Sequence, residues 1–104
     1  MSLISYETIY ILSPKITETQ NLSLVNYYKT FIQERGGDNV YIQYRGKRHL
    51  SYNIKNCYDG IYVQMNYQAN GNVINLLHKS MKFNDLIIRS LTVKQELMNT
   101  INIY

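Results

Sequence analysis

Apolar and polar positions fall into six periodic stretches along this chain, and each marks an element. Residues 6–12, "YETIYIL", alternate and are rich in β-favouring types, which predicts a strand that stops before Pro14. Thr17 followed three residues later by Gln20 is a capping box, so a helix starts there. Leu24, Tyr28, Phe31 and Ile32 recur at helical steps and line one face. Gly36-Gly37 ends that helix, with Arg35 in the last turn at the negative end of the dipole.

A long extended stretch follows. Val40, Ile42, Tyr44, Leu50, Tyr52 and Ile54 all fall on even positions, as expected of one face of a strand. Gly46 and Arg48 break the series. A β-bulge at Gly46 would turn Arg48 outward, leaving Arg45 and Lys47 together on the face opposite Tyr44 and Leu50. The turn residues of 56–60, "NCYDG", link this strand to the alternating 61–67, "IYVQMNY", so the two form a hairpin. "NGNV" at 70–73 opens a second helix with Val73, Ile74, Leu77 and Met81 as its stripe, and Asn84-Asp85 ends it. Residues 86–94, "LIIRSLTVK", read as a fourth strand.

The predicted order is β-α-β-β-α-β, an α+β ferredoxin-like sandwich with two helices on one face of a four-stranded antiparallel sheet. The other face is then free to bind. Residues 1–94 are expected to form one domain and 95–104 a C-terminal tail that is loose until something holds it.

Composition narrows the function. With 104 residues, 45% of them hydrophobic, the chain can fold around one core without a disulfide or metal. The single Cys57 excludes an internal disulfide and suits a reducing compartment. The uncharged run 60–78 cannot cross a bilayer, because asparagines and glutamines interrupt it, so a soluble protein is expected. His49 and His78 lie on different elements without metal-ligand spacing, and no two acids form a general acid/base pair. No glycine-rich phosphate loop occurs, and the loop "SPKIT" after the first strand lacks the glycine and arginine a phosphate-handling enzyme would need. No catalytic residue, metal, cofactor or small-molecule substrate is therefore expected.

The net charge of +4 favours an acidic partner. "YRGKRHLSYNIK", residues 44–55, concentrates Arg45, Lys47, Arg48 and Lys55 with no acid among them. A solvated charge run is the ordinary reading of such a stretch, but a merely solvated strand usually interleaves acids. Arg89, alone in an apolar strand, suits either a cross-strand ion pair or a phosphate contact. Eleven tyrosines are many, yet the aromatic signature of an RNA-recognition motif is absent.

The order "YETIYILSP", helix, "GKRHLSYNIKNCYDGIYVQMNY", helix, "FNDLIIRSLTVK" resembles the bacterial-type small-subunit ribosomal protein S-six family. That family carries Gly-x-Arg-x-Leu-x-Tyr-x-Ile in its second strand, matched by Gly46, Arg48, Leu50, Tyr52 and Ile54, and an Asn-Asp and an Arg matched by Asn84, Asp85 and Arg89. His49 stands where many relatives have a second basic residue, and Asn53 where proline is frequent. The resemblance implies a non-catalytic structural component that binds small-subunit rRNA beside ribosomal protein S-eighteen. It implies RNA or partner contacts from Arg45, Lys47, Arg48, Lys55 and Arg89. Abundant Ile, Asn, Tyr and Lys, whose codons are AT-rich, point with it to a plastid ribosome, or else to the bacterial cytoplasm. A regulatory or self-associating ferredoxin-like domain without nucleic acid is the alternative on fold alone.

Overall fold

The computed structural model describes residues 3–54 and 57–95. Six elements run in the predicted order: β1 Ile4–Leu12, α1 Glu18–Glu34, β2 Asp38–Ile54, β3 Cys57–Ala69, α2 Gly71–Lys82 and β4 Ile87–Lys94. The strands form one antiparallel sheet in the order β2-β3-β1-β4, the ferredoxin-like arrangement.

The helix signals read from the sequence are all used. Thr17 accepts from the Gln20 backbone N–H, and the Gln20 side chain accepts from the Thr17 backbone N–H, closing the capping box. Gly36, at φ +86°, turns the chain out of α1 in the left-handed conformation. Arg35 caps α1, its guanidinium 3.7 Å from the centre of the Phe31 ring. Asn70 caps the N-terminus of α2 by accepting from the Asn72 N–H.

Leu24, Val25, Tyr28, Phe31 and Ile32 of α1 and Val73, Leu77 and Met81 of α2 cover one face of the sheet. They meet Tyr10 and Leu12 of β1, Val63, Met65 and Tyr67 of β3 and Ile87 of β4. Each large side chain so buried contributes about 1.5–3 kcal/mol. Within this core, Thr8 bonds both the Tyr67 hydroxyl (2.8 Å) and the Thr92 hydroxyl (2.7 Å), and Thr92 bonds His78 Nε2 (2.8 Å). His78 is thus half-buried and anchored to β4.

The hairpin differs from expectation in extent. Residues 57–60 belong to β3 rather than to a turn, pairing with β2 through Ile54↔Cys57, His49↔Asp59 and Arg48↔Gly60. Both strands overhang the last row of β1, which pairs Leu12 with Ile61. Gln95, assigned to the tail, still hydrogen-bonds the Ser5 carbonyl (2.9 Å) and Asn66 (3.2 Å). The remaining tail and Lys55 lie outside the described residues.

Candidate nucleic-acid interface

Cross-strand partners in an antiparallel sheet share a face, so the register fixes where each cation points. Before Gly46, Ile42 pairs with Met65 and Tyr44 with Val63, both under the helices. The register then shifts between Tyr44 and Gly46, and Gly46 has φ +87°. Arg45 is the extra residue of a β-bulge at the expected place. From there, Gly46 pairs with Tyr62, Lys47 with Ile61 and Arg48 with Gly60.

The bulge does more than turn one arginine. Because a one-residue slip exchanges the two faces, it reverses the phase of the stretch that follows, up to His49, beyond which the register shifts again. Leu50 does not rejoin the helix-side core. It is buried on the opposite face against Ile11 and Ile88, with Ile54, Cys57 and Tyr62 around them. The expected single face for Val40 through Ile54 is therefore two faces. The pairing of Arg45 with Lys47 is corrected as well: Lys47, opposite Ile61, points to the helix side, while Arg45 and Arg48 share the open face.

Arg45 donates through Nε (2.9 Å) and Nη2 (2.6 Å) to Gln64 Oε1. Gln64, nearly buried, passes its own amide hydrogens to Glu7 Oε1 (2.8 Å) and Asn66 Oδ1 (2.9 Å). A neutral amide thus orients Arg45 while the nearest carboxylate stays one residue removed. Arg48 stands with its guanidinium 5.9 Å from the centre of the Tyr62 ring.

Arg89 pairs with Ile11, placing it on the same open face. Gly46, Tyr62, Ile11 and Arg89 form one row across all four strands, roughly 14 Å at ordinary strand spacing. Its Nη1 donates to the Tyr52 hydroxyl (2.9 Å). Since β2 and β4 lie at opposite edges, this contact requires the overhanging end of the hairpin to curl across the open face. A cross-strand ion pair was one expectation for Arg89; its partner is instead a neutral phenol. Sequence reasoning had no signal for Tyr52 or Tyr62 in these roles, because the alternation put both merely on strand faces.

His49 Nδ1 lies 3.2 Å from Asp59 Oδ1, in a largely solvent-exposed pair. Arg45, Arg48 and Arg89 have no carboxylate partner among the described residues. The same open face carries exposed Tyr41, Leu91 and Val93 beside the arginines. No group of residues fit to hold a metal occurs among the described residues, and no described helix is long and apolar enough to cross a membrane.

Comparison with known proteins agrees with this architecture. The family model described as ribosomal protein S6 matches residues 5–94. "Small ribosomal subunit protein bS6c" of Gracilaria tenuistipitata var. liui is 52% identical over 103 residues, covering 99% of this chain and 100% of the relative. "Small ribosomal subunit protein bS6" of the cyanobacterium Picosynechococcus is 43% identical over 90 residues, covering 86% and 78%. The crystal structure of 30S ribosomal protein S6 from Thermotoga maritima matches with a TM-score of 0.87 at 25% identity, covering 96% of this chain and 94% of the other.

Proposed function

The chain belongs to the ribosomal protein S6 family, a small-subunit component of plastid or bacterial ribosomes, and from that premise we propose that it binds small-subunit rRNA through the open face of its sheet. Arg45, Arg48 and Arg89 are the phosphate-contacting residues, with Lys55 extending the same basic stretch in sequence. The observation that carries this reading is the convergence of three arginines from β2 and β4 on one face with no carboxylate partner among the described residues. Cations left unneutralised by the protein gain most from displacing condensed counterions on a phosphate backbone.

Lys47 has a secondary role in this reading, since it faces the helix side at the β2 edge. The neighbouring apolar patch, Tyr41, Leu91 and Val93, supports a protein partner seated beside the RNA, ribosomal protein S-eighteen. Phosphate contacts fix position and the partner adds shape; an RNA helix exposes few readable base edges. The function is structural rather than catalytic, and the 52% identity to a red algal plastid protein supports a plastid ribosome.

The test is a titration of an rRNA fragment, with and without the partner protein, at several salt concentrations. Affinity is expected to fall with salt by a log–log slope of about −0.7 to −0.9 per phosphate contact. Salt-independent or absent binding with the partner present refutes the proposal. Self-association that survives Arg45→Glu and Arg48→Glu would favour an oligomerising domain instead.

A further inference from the structure

A second basic surface adjoins the arginine face at Arg89, in a groove of about 590 Å³ between the C-terminal half of α2 and the outer edge of β4. Lys79 and Lys82 flank it, Arg89 and His78 contribute to its lining, and Phe83 stands on its rim with 74% of its surface exposed. No Asp or Glu is among the residues lining it.

We infer that this groove takes a nucleotide of an unpaired RNA strand, with Phe83 stacking on the base and Lys79 and Lys82 on the flanking phosphates. Three observations carry it. The volume lies within the range of small-ligand sites and accommodates one nucleotide. The charge is in excess of what the helix requires: the C-terminus of α2 presents roughly half a negative charge, and two lysines supply two positive ones. Phe83 is the most exposed large apolar side chain among the described residues, held in place as the C-cap of α2 by its N–H to the Met81 carbonyl. A largely exposed aromatic on the same groove as two lysines matches the stacking-plus-phosphate mode of single-strand recognition. An acidic peptide would satisfy the lysines but leave the ring in water.

The inference rests on the rRNA reading for the nature of the polymer but uses a different surface. Arg89, at the sheet edge, is the residue common to both. The protein would then hold two RNA segments, one on each side of β4.

The experiment titrates the full chain with a labelled oligouridine of about eight nucleotides and maps amide shift changes by NMR. Shifts are expected at 79–83 and 88–90. Phe83→Ala should weaken binding roughly 5- to 150-fold, as loss of one stacked base implies. Lys79→Gln with Lys82→Gln should reduce the salt slope by about 1.4. Shifts confined to the Arg45 and Arg48 region overturn the inference, as does unchanged affinity in Phe83→Ala. So does a polyglutamate peptide that binds the groove as tightly as the oligouridine. Arg45→Glu with Arg48→Glu separates the two readings: if that pair leaves rRNA-fragment binding intact, the open-face proposal fails while the Phe83 result still decides the groove.

Discussion

The two halves of β2 carry the same alternation and bury it on opposite faces. From Val40 to Tyr44 the even residues lie on the helix side, with Val40 and Ile42 packed against the main core. From Gly46 to Ile54 they lie on the open side, where Leu50 joins Ile11 and Ile88. One extra residue at the bulge separates these outcomes. The difference teaches that a period-two pattern specifies alternation and not a face. The face is set by the phase, and a single glycine at φ +87° can reset it.

The sharpest way to break the comparison is to remove one side chain from each core. Leu77→Ala, in the fully buried helix-side core, is expected to cost about 3–5 kcal/mol in denaturant unfolding. Leu50→Ala, in the small cluster at the sheet's edge, should cost about 2 kcal/mol, since that site can collapse more readily. A negligible cost for Leu50→Ala would mean the second core does not hold the hairpin down. Next, Arg45→Glu with Arg48→Glu should weaken rRNA-fragment affinity by roughly 10- to 100-fold, and Lys47→Glu by much less. Equal losses would put all three cations on one surface, against the bulge. Gly46→Val should destabilise by about 1–2 kcal/mol, because a β-branched residue is forced into the left-handed region, although open space surrounds the position. A neutral result would show that the hairpin can re-register.

The smallest effect concerns Tyr10. Burial first, then the neighbouring phenols of Tyr44 and Tyr28, push its ionisation far above the ordinary phenol value. Its hydroxyl has no hydrogen-bond partner among the described residues. Tyr10→Phe is therefore expected to be neutral or up to about 1 kcal/mol stabilising near pH 7. In alkali the folded chain holds this proton while the unfolded chain loses it near pH 10, so stability falls as pH rises beyond that point. The variant should lose less stability than the parent above pH 10, as read from urea midpoints; identical pH profiles would contradict the burial.

Local signals were legible because they depend on residues close in sequence. The capping box at Thr17 and Gln20, the left-handed Gly36 and the helix start at 70–73 each act within one turn of chain. Strand ends were less legible. Residues 57–60 look like a turn by composition, yet they form a ladder because β2 runs on past β1 and supplies partners as far as Ile54. In the candidate site, the basic stretch 44–55 and the bulge at Gly46 were visible, but the grouping of its cations was not. Arg45 meets Gln64 and Arg89 meets Tyr52 over sequence separations of 19 and 37 residues, and no local pattern encodes such contacts.

The sequence by itself determined the element order, the capping box and glycine stop of α1, the family resemblance and the place of the bulge at Gly46 in β2. Periodicity and capping are short-range, so they survive without a third dimension. Only the tertiary structure decided which face Leu50 and Lys47 occupy, and that Arg89 of β4 lies on the same face as Arg45 and Arg48 of β2. A side chain's face depends on the accumulated register from a fixed pairing, and that pairing exists only once β3 lies between β1 and β2.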